Sequence, residues 1–421
     1  MIDFSLTPRQ TAIRSSAQEF ATTTLLKSSS LTTSHPDPLA KFQATSPLYE
    51  AATKAGLIKA QVPETLDGTG GPLIEAALCA EEFYAVEASV SLTILGTGLG
   101  LLPLIIEGSD EQHERFLRPF LSEERASLAS LVHSEPGGVA NFLEEEEGMG
   151  LQTVARKEGD EWVINGEKYI WATNCAGWDE HGADLKSVTC RIQGGPPSEV
   201  AILIVTREDI AKDPESYKVL KHTETIGHNA TSGPHVKFTN LRVPAVNLLA
   251  APGQGAAVIE KAFTFSAALV GAISVGVMRR TFDLALSFAK KDSRNGKVPI
   301  IERQSVADLL IDIKMQCEAS RALTWKACVG LKKNENTAEL AYETKIFCSD
   351  SAVKCVVDAM NVVGISSYDA DLTWGELLNT AICLPLFDGD NVGVRRRQVE
   401  RIFTSPDYEP WASTFGSNEN E

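Results

Sequence analysis

Asp388 and Arg395 stand seven residues apart in the run Phe387-Asp388-Gly389-Asp390-Asn391-Val392-Gly393-Val394-Arg395. A carboxylate between apolar Leu384–Phe387 and a glycine can point into a pocket while the backbone stays close to a ligand. Such a group can abstract a proton if its pKa is tuned toward working pH. The same aspartate also suits the N-cap of a helix expected from Asn391, and the spacing leaves both readings open. Two helical turns would bring Arg395 onto the face of Asp388. At ~6 Å and an effective dielectric of about 20, their attraction is ~3 kcal/mol and lowers the carboxyl pKa. Burial raises it, so the balance is an aspartate that is ionised but still basic. The alternative for Arg395 is a pairing with a helix end or another acid, and Arg396 and Arg397 suit an interface or solvent. Ser266, in the Ala-rich stretch Phe265-Ser266-Ala267-Ala268, is either a small core hydroxyl bonded to its own helix or part of a site. His133 and Trp171, taken alone, suit a structural histidine and a core residue.

The elements that would position these groups fall into an α, β, α order. Thr7-Pro8-Arg9-Gln10 opens the first helix with a capping box. Helical spacing follows over Tyr49–Leu57 and Ile74–Tyr84, around an Asp67–Gly71 loop. Gly96-Thr97-Gly98-Leu99-Gly100 lacks the full dinucleotide pattern and is read as close helix packing. From residue 126 the texture is β. Trp162–Tyr169 is expected to form a hairpin about an Asn165-Gly166 turn, Val200–Thr206 a continuous strand, and Val236–Val243 an alternating one. Helices return over Gln254–Lys291, Ile301–Leu331, Thr337–Val363 and Asn391–Phe403. The expected domains are therefore 1–125, 126–245 and 246–421. The tail Gly416–Glu421 is polar and expected to lack order.

The bulk properties narrow the class. A chain of 421 residues, 43% hydrophobic and 23% charged, builds more than one core. Its net charge of −17 argues against binding a nucleic-acid backbone. The eight cysteines form no CxxC pair, which weakens a metal reading and suggests thiols in a reducing compartment. No leader pattern and no membrane-spanning run stand out, so a cytoplasmic, membrane-free protein is expected.

Several segments together resemble the acyl-CoA dehydrogenase superfamily. They are Leu131-Val132-His133-Ser134-Glu135-Pro136-Gly137-Gly138, Phe238–Leu249, Arg294 with Ile301–Asp308, Asn361-Val362-Val363-Gly364, and Phe387–Asn391. The match runs in order along nearly the whole chain. His133-Ser134, Phe263–Gly271, Pro385–Gln398 and Asp407–Trp411 are similar to the branch that oxidises nitroalkanes. The resemblance implies an α+β fold: an N-terminal helical domain, a central β-barrel or sandwich, and a C-terminal four-helix bundle. It implies FAD, a homotetramer with FAD at subunit interfaces, and oxidation of primary or secondary nitroalkanes. In that reaction Asp388 removes the α-proton and the carbanion attacks flavin N5. Aldehyde or ketone, nitrite and, with O2, hydrogen peroxide are the products. Arg395 and Ser266 would support the base. Leu131, His133, Ser134, Asn141, Trp171 and Thr173 would lie along the flavin, with Gly389 and Asp390 near it. Arg294 would bind the pyrophosphate, while Gln304, Asp358, Asn361 and Gly364 would reach the adenosine side.

The superfamily's usual base here is glutamate. Aspartate is shorter by about 1.5 Å, and a misplacement of about 1 Å can lose roughly a hundredfold. The shorter base favours a nitroalkane over an acyl-CoA thioester. Acyl-CoA dehydrogenation, another flavin oxidase or monooxygenase of secondary metabolism, and a non-catalytic scaffold are the competing expectations.

Overall fold

Helix starts and strand ends follow local chemistry that can be checked bond by bond. In the computed structural model, which describes residues 4–146, 148–170, 172–331 and 338–416, the first helix runs Pro8–Thr23. The Gln10 N–H donates to Thr7 Oγ1 at 3.2 Å, and the Thr7 N–H donates to Gln10 Oε1 at 2.9 Å. The capping box therefore forms. Trp171 and the tail from 417 onward lie outside the described residues.

The chain folds as two compact units. One comprises the segment ending at Thr23, Pro72–Ala88, and everything from Phe263 onward; the other comprises Thr24–Gly71 and Ser89–Ala262. Helices of the first 125 residues thus contribute to both.

The second unit holds an eight-stranded mixed sheet. Its strands are β1 Ala129–Val132, β2 Val154–Glu158, β3 Glu161–Lys168, β4 Leu185–Ile192, β5 Val200–Thr206, β6 Tyr217–His222, β7 Pro234–Pro244 and β8 Leu248–Ala250. The order is β6-β7-β3-β2-β4-β5-β8, with β1 parallel to β4. Strand β5 is buried over Val200–Val205, as a continuous β-branched run requires. Trp162, Ile164, Val188, Leu203 and Phe238 share one buried cluster. The expected Asn165-Gly166 hairpin turn does not form. The chain reverses earlier, at Gly159-Asp160, where Glu158 pairs with Glu161. Gly166 instead sits at an irregularity in the β3–β7 register, where a Cβ would lie 2.6 Å from Thr153 Oγ1. An Asn-Gly pair inside a strand marks a bulge as readily as a turn.

Gly96, Gly98 and Gly100 lie in the helix Ser89–Glu107. A Cβ at Gly100 would approach the Ser130 nitrogen of β1 to 2.3 Å, so these glycines seat the helix on the sheet. That helix and Gly255–Lys291 are each long and apolar enough to cross a membrane, which the sequence reading did not register. Both are mostly buried as core helices.

The first unit is helical. Its principal elements are Leu73–Tyr84, Gln304–Gly330, Ala338–Val363 and Trp374–Cys383, with most of the helix Gly255–Lys291. Arg14, Arg279 and Arg321 converge on Glu81 and Glu82 at 2.5–2.9 Å and tie the first helix, Pro8–Thr23, to three of these.

Candidate active site

The loop after the helix Trp374–Cys383 carries two successive residues in left-handed conformation, Asp388 (φ 58°) and Gly389 (φ 74°). A non-glycine residue there is uncommon, and aspartate tolerates it better than most. Asp390 then caps the following turn: its Oδ1 accepts the Val392 and Gly393 N–H groups at 3.0 and 2.6 Å. The capping role open to Asp388 in the sequence thus belongs to Asp390.

Asp388 is left for other work. Its side chain is only 5% exposed. Ser266 donates its hydroxyl to Oδ1 at 2.6 Å and also reaches the Phe263 carbonyl. Oδ2 is buried and accepts no hydrogen bond from any described residue; it lies 3.7 Å from Arg395 Nη2. Burial pushes the carboxyl above the ordinary aspartate value, against the pull of Arg395, Ser266 and Lys345. A buried carboxylate oxygen with an open acceptor site and a raised pKa is fitted to take a proton.

Arg395 holds this geometry differently from the expectation. Asp388 precedes the helix, and residues Asn391–Arg395 form one wide turn closed by i→i−5 bonding before Arg396–Phe403 continues as α-helix. Such turns recur at functional sites. The Arg395 guanidinium does not fork onto the carboxylate. Nε and Nη2 donate to the Asp388 backbone carbonyl at 3.1 and 2.5 Å, and Nη1 donates to Gln398 Oε1 at 2.8 Å. Its face lies 4.8 Å from the Tyr342 ring centroid. A Cβ at position 389 would come within 2.9 Å of Arg395 Cζ, so the glycine admits the guanidinium.

Two members of this cluster were missed from sequence. Lys345 is fully buried and donates to the Pro385 carbonyl at 2.9 Å and to Asn391 Oδ1 at 2.7 Å. Asn391 donates onward to Ser349 Oγ and Asp350 Oδ1. The signal for Lys345 was its place on a buried stripe with Ala341, Cys348 and Ala352, where lysine is costly unless paired.

The expected cofactor residues fall in two groups, one in each unit. In the sheet unit, Leu131 is buried within β1, Ser134 and Thr173 are half-buried, and Asn141 is exposed. His133 is buried, with Nδ1 bonded to Thr189 Oγ1 at 3.0 Å. Burial and nearby Lys168 push its pKa down to about 3, so it is neutral and also has a structural role. Beneath this loop lies another pair the sequence reading did not single out. Lys168 Nζ donates to Glu135 Oε1 at 3.0 Å and to the His133 carbonyl at 3.1 Å, both side chains buried. In the helical unit, Arg294 lies against Gly364, with its guanidinium 5.0 Å from the Phe288 ring centroid and 3.4 Å from Ser366 Oγ. Asn361 is exposed one turn earlier. Asp358 pairs with Lys354, and Gln304 bonds Asp308. A half-exposed guanidinium beside a residue with no side chain can donate to the oxygens of a diphosphate.

Comparison with known proteins decides the family. The acyl-CoA dehydrogenase N-terminal domain matches residues 7–124, and the acyl-CoA dehydrogenase C-terminal domain matches residues 253–403. The nitroalkane oxidase of Podospora anserina is 50% identical over 99% of both chains. The chain belongs to the acyl-CoA dehydrogenase family, on its nitroalkane oxidase branch. The nitroalkane oxidase of Fusarium oxysporum is 49% identical over 99% of this chain and 98% of its own. A solved nitroalkane oxidase, studied for the roles of one arginine and one aspartate in that flavoprotein's reaction, superposes with a TM-score of 0.95. It is 48% identical and covers 99% of this chain and 100% of its own. The acyl-CoA dehydrogenase architecture expected from the sequence is thereby established.

Proposed function

We propose that this chain is an FAD-dependent nitroalkane oxidase in which Asp388 is the general base. The observation that carries this reading is Asp388 Oδ2, buried and without a hydrogen bond in a pocket that raises its pKa. The family supports it. The arginine and aspartate studied in the solved relative stand seven positions apart, as do Arg395 and Asp388.

The α-carbon of a nitroalkane is acidic enough for a carboxylate to deprotonate it. Asp388 Oδ2 would take that proton, Ser266 would hold Oδ1 so that the other oxygen faces the substrate, and Arg395 would fix the backbone from which the base projects. A bound flavin would supply the two-electron acceptor for the deprotonated substrate, with O2 as the final oxidant. One nitroalkane, one O2 and one water then give one aldehyde or ketone, one nitrous acid and one hydrogen peroxide. Arg294 and Gly364 are the candidates for the pyrophosphate of FAD, with Gln304, Asp358 and Asn361 toward the adenosine. Leu131, His133, Ser134, Asn141, Trp171 and Thr173 are the candidates for the flavin end, with Gly389 and Asp390 beside the base. Exposed Ile365 and Tyr368 (83% and 86%) support burial of this surface in a homotetramer.

The test is anaerobic flavin reduction by nitroethane and by an acyl-CoA, side by side, in wild type and Asp388→Asn. Nitroethane should reduce the wild type. The variant should lose about 10²–10⁴-fold with neutral nitroethane and keep its rate with preformed nitronate, which needs no base. Reduction by the acyl-CoA alone would assign a dehydrogenase instead.

A further inference from the structure

The loop that carries Asp388 is closed at its base by one buried cation. The Pro385 carbonyl accepts both the Lys345 ammonium at 2.9 Å and the Asn391 N–H at 2.9 Å. Lys345 donates again to Asn391 Oδ1 at 2.7 Å. The amide of Asn391 is in turn held by Ser349 Oγ at 3.0 Å and Asp350 Oδ1 at 2.8 Å, and Ser349 donates back to the Lys345 carbonyl at 2.6 Å. Both ends of the segment Leu386–Asp390 are therefore fastened to one point on the helix Ala338–Val363. Between the fastenings sit the two left-handed residues Asp388 and Gly389. A backbone held in sparsely populated conformations persists only where its surroundings enforce it.

We propose that Lys345 is a positioning residue for the base: its ammonium fastens both ends of the Asp388 loop and places a second positive charge behind the carboxylate, beside that of Arg395. This rests on the reading of Asp388 as the base. The charged groups around Lys345 are Asp388, Arg395, Asp390 and Asp350. Burial is the largest influence on it and, with Arg395, brings its pKa down to about 7 against the pull of the three aspartates. Lys345 thus carries its charge on the acid side of neutrality, and that charge opposes the rise that burial imposes on the Asp388 carboxyl. Nothing in the proton transfer requires Lys345 to touch the substrate.

The experiment uses the FAD-loaded enzyme and four variants: Lys345→Met, Lys345→Arg, Asn391→Ser and Asp388→Asn. The readout is the pH profile of anaerobic reduction by neutral nitroethane and by its nitronate. Lys345→Met should slow the neutral substrate by about ten- to a hundredfold, move the acid limb to higher pH, and spare the nitronate. Lys345→Arg should return the limb toward its wild-type position. Asn391→Ser keeps the cation and cuts one fastening, so it should slow the neutral substrate without moving the limb. In both Lys345→Met and Asn391→Ser, backbone hydrogen exchange over residues 384–392 should quicken. If Lys345→Met does not fold, Asn391→Ser carries the test through its rate and exchange. An unmoved limb in Lys345→Met, equal losses on both substrates, or unchanged rate and exchange in Asn391→Ser overturns the proposal. Retained neutral-substrate reduction in Asp388→Asn would instead overturn the underlying assignment of the base.

Discussion

At Asp388 the two carboxylate oxygens have different environments. Oδ1 is occupied by the Ser266 hydroxyl at 2.6 Å, and Oδ2 is left open. The hydroxyl stabilises the charged form, so its removal should raise a carboxyl pKa that burial already holds high. Ser266→Ala should therefore protonate Asp388 at higher pH. The acid limb of kcat/KM for neutral nitroethane should move up and the rate on that limb should fall by about tenfold, since a hydrogen bond to a charged group contributes ~1.5–3 kcal/mol. An unmoved limb would exclude the hydroxyl from tuning the base. That Asp388, Ser266 and Arg395 come together was legible because residue type, spacing and family position agreed. How Arg395 works was not, because a seven-residue interval fixes a face only if the intervening chain is regular helix. Lys345 went unread because its partners, Pro385 and Asn391, are distant in sequence.

The loop between two helices is the element on which the site depends. Gly389 meets two demands at once, a φ of 74° and room for the Arg395 guanidinium. Gly389→Ala should strain the backbone by roughly 1 kcal/mol and displace Arg395 from the Asp388 carbonyl. Oxidation of neutral nitroethane should drop by at least about tenfold while the nitronate reaction changes less; stopped-flow reduction of the variant measures both. Most elements could be read from sequence because their signals are local, as the first helix with its capping box shows. The Asn165-Gly166 error has the same origin, since Gly159-Asp160 offers an equally good turn and only pairing across the sheet chooses between them.

Buried charge ties the molecule together in places where hydrophobic pattern says nothing. Lys168 and Glu135 are 0% and 2% exposed, and they secure the loop that follows β1. Burial raises the Glu135 pKa, but Lys168, Thr153 and the Gln152 N–H outweigh it and hold the carboxyl below its ordinary range. A folded-state value below the unfolded one adds stability above about pH 4.5, lost as pH falls through the folded value. Lys168→Met would leave that carboxylate buried without its cation, at a cost of about 3–5 kcal/mol. Urea unfolding should show this deficit at pH 7. It should narrow in acid, where protonation removes the stranded charge; a gap independent of pH would count against it. The partition into two units escaped the sequence for a related reason. It depends on which segments meet in space, and the helices before residue 125 divide between both units.

One open oxygen on a rigid carboxylate also has a handedness. The two hydrogens on the α-carbon of nitroethane are mirror-related, and a base that approaches from a single fixed direction removes only one of them. Nitroethane carrying deuterium at the α-carbon in one configuration should transfer it to Asp388 with a large primary isotope effect, and its mirror image should keep it in the acetaldehyde formed. Equal isotope effects from the two enantiomers would mean that nitroethane binds in two orientations, each presenting a different hydrogen to Oδ2.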